Sequence, residues 1–224
     1  MPLPSDTASP FTAPAFRRRA AERLIHAVPE AFAEHGGQVA HGASDFDLNP
    51  DLKSLLATAP TPRPAAVLVP IVARASLTVL FTVRTEHLPN HAGQISFPGG
   101  KVDADDASPV ATALREAEEE VGLTASEIEP LGFLDVYRTA TGFRILPVVG
   151  LVAPTYRPRP NPGEVADVFE VPLSFLMDSA NHARHARQWQ GVERYYHAMP
   201  YGDRYIWGAT AGMLKNLHAR LFEP

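Results

Sequence analysis

The chain has 224 residues, 45% of them hydrophobic and 20% charged, with a formal net charge of −5. That length and composition suit one α/β domain with an extension, or two small domains, around a sizeable core. The acidic balance offers no global basic field to nucleic acid or an anionic membrane, and the absence of cysteine excludes disulfides, zinc–thiolate sites and thiol catalysis.

The first 14 residues are rich in Pro, Ser and Thr and are expected to be disordered or loosely packed. They hold no secretory apolar region, no run in the chain reaches membrane-spanning length, and the final LFEP carries no retention or peroxisomal address. The expectation is a soluble, cytoplasmic protein. From Ala15 to about His35, Phe16, Ala20, Leu24, Ile25, Val28 and Phe32 recur at helical spacing. Pro14 suits the start of that amphipathic helix, and Pro29 is placed to kink or end it early. GGQVAHGASDFDLNPD reads as a loop-like link, and APTPRP sets a boundary near residue 62. The expected organisation is an N-terminal extension over 1–61 and one main domain over 62–224.

Beyond the boundary, AAVLVPIVA and LTVLFTVRT predict two neighbouring strands. IEPLGFLDVYRT and FRILPVVGLVA predict two more, turning at ATG, and EVADVFEVPL and DRYIWG add others. The helix ATAGMLKNLHARLF follows, with Met213, Leu214, Leu217 and Leu221 as its apolar stripe. Clustered strands with helices at the start, middle and end predict a mixed sheet covered by helices rather than regular βαβ winding.

The middle helix, in DASPVATALREAEEEVGL, is punctuated at both ends. Ser108 suits the N-cap, Pro109 the first helical position and Gly122 a left-handed C-terminal residue. At about 100° per residue, Val110, Ala113, Leu114, Ala117 and Val121 share the buried face. Glu116, Glu119 and Glu120 converge on another, with Arg115 beside them and Glu118 turned away. Taken alone such a run reads as a solvated face. Three carboxylates on one strip repel one another, however, and a hard divalent cation reverses that sign.

REAEEEVGL after FPGGK resembles the Nudix box, GX5EX7REUXEEXGU, with Arg115, Glu116, Glu119, Glu120, Gly122 and Leu123 at fixed positions and Ala117 at the first U. Counting back from Arg115 places Lys101 and Ala107 where the first glycine and glutamate belong. One extra loop residue restores Gly100 and puts Asp106 at the acidic position. Asp103, Asp105 and Asp106 all remain candidates for it. Upstream, LFTVRTEHLPNHAGQISFPGG is similar to the signature of the coenzyme A diphosphatase branch, matching at Leu80, Thr82, Arg84, Gly93, Phe97, Pro98, Gly99 and Gly100. Pro89 stands where that signature has a second arginine, and Thr85 replaces a serine. NPGEVADVFEVPLSFL and IWGATAGML add to the likeness, which covers about residues 62–222.

The resemblance implies a Nudix-type α/β/α sandwich with a mixed central sheet. It implies metal-dependent hydrolysis of the diphosphate bridge of coenzyme A or its thioesters, to 3′,5′-ADP and (acyl-)4′-phosphopantetheine. Glu116, Glu119, Glu120 and the Gly100 carbonyl are the implied ligands for Mg²⁺ or Mn²⁺, and Arg115 orients the glutamates. Either Glu120 or Glu164, in NPGEV, is the implied base, with Glu119 also in the catalytic set. Arg84, Gly99, Gly100 and Lys101 are the candidates for substrate phosphates, since guanidinium groups and backbone N–H groups both bind them; Arg138 and Arg144 are further cations to weigh. His87 and His91 flank the loop as acid, ligand or neither. The expected partner is a small diphosphate, with no nucleic acid and no membrane, and a homodimer stays open. Two other readings compete: a Nudix enzyme for ADP-ribose, NADH or another nucleoside diphosphate derivative, and a catalytically silent nucleotide-binding module.

Overall fold

The computed structural model describes residues 9–33, 43–50, 61–87, 93–189 and 192–223. Its spine is a parallel pair, β2 (Arg63–Val72) and β8 (Phe143–Val152), in register from Arg63 opposite Phe143 to Val72 opposite Val152. Most residues of both strands are buried, which is why they read as nearly continuous apolar runs rather than as alternating ones. Three shorter strands join them antiparallel: β6 (Ile128–Phe133) and β7 (Tyr137–Arg138) on β8, and β3 (Thr78–Arg84) on β2. β9 (Val165–Pro172) runs antiparallel to β3.

β2 and β3 pair only at Ile71–Val79 and Val72–Thr78. Beyond that point the segment Ile95–Lys101 bridges them, bonding first to β3 as β4 (Ile95–Ser96) and then to β2 as β5 (Gly99–Lys101). The double glycine is thereby fixed on the sheet and faces α3 (Pro109–Val121).

Helices cover both faces. On one, Ala113, Ala117 and Val121 of α3 pack on Leu68, Leu80, Leu146 and Val148. On the other, Phe16 and Ala20 of α1 (Ala13–Arg23) and Leu214, Leu217 and Leu221 of α5 (Ala209–Leu221) pack with Val67, Val69, Val79 and Phe81. This is the expected mixed sheet between helical layers.

Two N-terminal expectations change. The helix over 15–35 is interrupted: α1 ends at Arg23, Leu24 turns extended, and α2 (Glu30–Ala33) restarts after Pro29. Ile25 instead exchanges two backbone hydrogen bonds with Phe133, at 3.0 and 2.7 Å, a pairing no helical residue can offer. His35 and the first eight residues lie outside the described residues. The described part of the supposed link is also bonded in place. β1 (Ala43–Ser44) pairs with β7, the Asp45 carboxylate accepts from the Tyr137 hydroxyl and the Ala140 N–H at 2.8 Å each, and Asn49 bonds both backbone groups of Tyr195 at 2.8 Å.

A second, three-stranded antiparallel sheet is only partly legible in the sequence. β10 (Ala183–Trp189), β11 (Val192–Tyr201) and β12 (Arg204–Trp207) form it, and only β12 was read from the sequence. Among the described residues no helix is long and apolar enough to cross a membrane.

Candidate active site

α3 begins and ends where its punctuation places it. The Ser108 hydroxyl accepts from Ala111 N–H at 3.1 Å, Pro109 opens the helix, and Gly122 adopts φ +65°. The N–H groups of Gly122 and Leu123 then reach the Glu118 and Ala117 carbonyls, at 2.9 and 3.2 Å, closing the last turn as left-handed C-terminal residues do.

The three glutamates of one strip have three different environments. Glu119 is exposed, Glu116 is mostly buried, and Glu120 retains 4% of its side-chain exposure. Glu120 accepts from the Gly99 N–H, and its other oxygen, Oε2, is buried without a hydrogen-bond partner. Arg84, at the end of β3, brings Nη1 to 3.9 Å from Glu120 Oε1, and its own Nε is buried and unbonded. Burial pushes the Glu120 carboxyl up to about 8, and the charges of Glu116 and Glu164 add to that; burial raises Glu116 too.

Gly100 is packed against Glu116 so closely that a Cβ there would collide with its carboxylate, and a Cβ on Gly99 would strike the backbone of Ala66 and Val67. The glycine pair is needed for that close approach.

Arg115 is the organiser. It grips Asp106 with two bonds of 3.0 Å, from Nε and Nη2, while Nη1 donates to Glu116 and Glu119 at 3.0 and 3.1 Å. Its Nη2 also meets the Lys101 carbonyl at 3.4 Å and lies 3.4 Å from the Asp103 carboxylate. This selects Asp106 among the three loop aspartates: the guanidinium beside it holds its carboxyl well below the usual carboxylate range. The only signal in the sequence was the one-residue loop insertion.

Glu164 approaches from a different element. It lies on the turn before β9, its carbonyl accepts from Thr85 N–H at 3.0 Å, and its charge is felt by both Glu116 and Glu120. The structure therefore brings together Arg84, Gly99, Gly100, Arg115, Glu116, Glu119, Glu120 and Glu164. Lys101 meets the group through its backbone carbonyl. Arg144 is buried beside the Phe32 ring, 5.7 Å from its centroid, which removes it from the set of exposed phosphate contacts. Arg138 pairs with it on β7. His87 bonds the Gly163 carbonyl at 3.2 Å, whereas Pro89 and His91 lie outside the described residues.

The donors are carboxylate and carbonyl oxygens, the chemistry a hard divalent cation takes. The orphaned Glu120 Oε2 and the glycine cradle facing Glu116 fit such an ion. Among the described residues no three His, Asp or Glu side chains already stand in metal-binding geometry, and Arg115 is bonded to both Glu116 and Glu119.

Residues 62–191 match the family model of the NUDIX domain. The chain is 41% identical over 157 residues to the uncharacterized Nudix hydrolase NudL of Yersinia pestis (strain Pestoides F), covering 70% of this chain and 79% of that one. The NudL of Yersinia pseudotuberculosis serotype O:1b gives the same figures. Among solved structures, the C. elegans Ap4A hydrolase binary complex overlaps at a TM-score of 0.40 and 18% identity, over 49% of this chain and 80% of that one. The NUDIX domain of Shewanella oneidensis NrtR complexed with ADP ribose overlaps at 0.39 and 22%, over 56% and 84%.

Proposed function

The chain belongs to the NUDIX domain family and is a Nudix hydrolase, and from that premise we propose that it cleaves the diphosphate bridge of coenzyme A or its thioesters. What supports the substrate is that Arg84, the arginine of the coenzyme A-type signature, stands 3.9 Å from Glu120. The signature and the box thus contribute to one site. A guanidinium in that position meets a phosphate oxygen of the bridge, and its buried, unbonded Nε is a second donor for the same group.

Glu116, Glu119, Glu120 and the Gly100 carbonyl would hold Mg²⁺ or Mn²⁺. When bound, such a cation neutralises diphosphate oxygens and makes water more acidic. The protein's own part is to aim and protect. Asp106 anchors Arg115, and Arg115 donates from one Nη1 to both Glu116 and Glu119, offsetting their mutual repulsion. Of the two implied bases, Glu120 is assigned to hold the cation, so Glu164 takes the proton of the attacking water as the water oxygen bonds to phosphorus and the bridging P–O bond breaks. The products are 3′,5′-ADP and (acyl-)4′-phosphopantetheine.

The test is hydrolysis of coenzyme A, acetyl-coenzyme A, NADH, ADP-ribose and diadenosine polyphosphates with Mg²⁺ and with Mn²⁺, ranked by kcat/KM with products weighed. Release of 3′,5′-ADP with coenzyme A preferred supports the reading. Preference for NADH or ADP-ribose keeps the hydrolase and discards the substrate, and no turnover at all favours a silent binding module.

A further inference from the structure

Glu164 is the proposed base and lies outside α3, so something else must hold it in place. The segment 156–164 crosses the C-terminal end of α3 and is bonded to it repeatedly: Tyr156 Oη and Arg159 N–H both donate to the Val121 carbonyl, at 2.8 and 2.9 Å, and Arg159 Nη2 donates to the Gly122 carbonyl at 2.6 Å. The last of these attachments before Glu164 is made by Asn161. Its N–H donates to the carbonyl of Glu120 itself at 2.8 Å. Its own carbonyl accepts from the N–H groups of Glu164 and Val165, at 3.0 and 2.8 Å, and its Oδ1 accepts from Gly163 N–H at 3.0 Å.

We propose that Asn161 is a positioning residue for the hydrolysis, joining the helical turn of Glu120 to the turn of Glu164 so that the two carboxylates keep a fixed separation. The inference rests on the proposed function for the role of Glu164, and adds the element that sets its place. From the opposite side, Thr85 N–H holds the Glu164 carbonyl at 3.0 Å and His87 Nε2 bonds the Gly163 carbonyl at 3.2 Å. The same turn is therefore tied to β3, which ends in Arg84. Of these bonds, only the Oδ1 bond to Gly163 depends on the identity of the Asn161 side chain. Gly163 is exposed, so its N–H finds water when that bond is lost and the cost in stability is small. What is lost is the definition of the turn, and small displacements of a reacting group are expensive in rate.

The experiment compares Asn161→Ala, Asn161→Asp, Glu164→Gln and the double variant Asn161→Ala/Glu164→Gln with the wild type, on whichever diphosphate the wild type hydrolyses best. Asn161→Ala is expected to lower kcat by about tenfold or more, leave KM within about twofold and keep thermal melting close to wild type. Asn161→Asp retains Oδ1 and is expected to recover most of the rate. In the Glu164→Gln background the alanine change is expected to add nothing, because its effect passes through Glu164. In the metal-free protein, amide exchange at Gly163 and Glu164 is expected to quicken in Asn161→Ala and not in Asn161→Asp.

Wild-type kcat in Asn161→Ala, or an equal fractional loss with and without Glu164, would overturn the positioning role. So would full activity in Glu164→Gln. An active wild type that ignores coenzyme A removes the substrate reading alone, while a wild type inert toward every diphosphate removes the functional reading and this role with it.

Discussion

Glu120 is held where its ionised form is poorly compensated, with Arg84 only at 3.9 Å. It is almost fully buried, one oxygen has no bond, and burial pushes its carboxyl up to about 8. In the unfolded chain the same group ionises near the ordinary glutamate value. Between those two pH values the unfolded state binds fewer protons, so this residue makes metal-free stability fall as pH rises across the window. The displacement corresponds to on the order of a few kcal/mol. Melting in EDTA at pH 5 and pH 8 is expected to show the wild type losing more stability on that rise than Glu120→Gln. Mn²⁺ is expected to raise the melting temperature of the wild type and much less that of the variant. Equal pH slopes would show that Glu120 is no reservoir of electrostatic strain. Gly100→Ala tests the cradle from the other side, because its methyl group would meet the Glu116 carboxylate. A loss of about two orders of magnitude or more in kcat/KM, with the fold retained by circular dichroism, is the expected outcome. At this scale the glutamates and Arg115 were legible because helical period alone groups them. Asp106 was legible only as one of three loop aspartates, because a loop has no period and one inserted residue leaves the count ambiguous.

The helix that carries these groups is held at its last turn by a backbone conformation and a neighbour. Gly122 at φ +65° leaves no comfortable place for a side chain, and a Cβ there would lie 2.9 Å from Arg159 Cβ and Nε. Gly122→Ala is expected to cost about 1–2 kcal/mol and to lower kcat further than that loss of stability explains, since Glu120 sits two residues earlier. Calorimetry with kinetics at a temperature where both proteins are fully folded separates the two effects; unchanged melting would show that the turn adapts freely. α3 was readable from sequence because caps and period agree. β10 and β11 were not. Their residues include Arg184 over the Tyr195 ring at 3.9 Å and Arg187 over Trp207 at 5.1 Å, so the pairs that cover this sheet are polar and aromatic rather than an apolar alternation. Among its residues of described burial, only Ala198, Met199 and Ile206 reach the fully buried interior.

At the scale of the molecule, the boundary near residue 62 marks a change of texture in the sequence, while the contacts run across it. Phe16 and Ala20 are fully buried, Leu24 nearly so, and all three belong to the same apolar cluster as Leu214 and Leu217 of α5. Arg19 donates to the Leu221 carbonyl at 2.6 Å, and Asp45 and Asn49 satisfy groups of Tyr137, Ala140 and Tyr195. The apolar stripe of Phe16, Ala20 and Leu24 is legible by its helical period, but the surface it packs on and the bonds of Arg19, Asp45 and Asn49 are not, because long-range contacts leave no mark on local period or composition. These contacts have an energetic consequence nonetheless. Truncating one buried phenylalanine to alanine costs about 3–5 kcal/mol, against a total stability of about 5–15 kcal/mol for an ordinary domain. A chain starting at residue 62 loses Phe16, Ala20 and Leu24 together and leaves the α5 face open to water. We expect that chain to be aggregated or without cooperative melting, although it contains every candidate site residue. Phe16→Ala in the full chain is expected to remain folded, with the melting temperature lowered and kcat unchanged at a permissive temperature. If the shortened chain melts within a few degrees of the full one and hydrolyses its substrate at the same rate, the extension is an accessory and 62–224 folds as a domain in its own right. If it fails while Phe16→Ala survives, the first 61 residues are part of the fold that holds the site together.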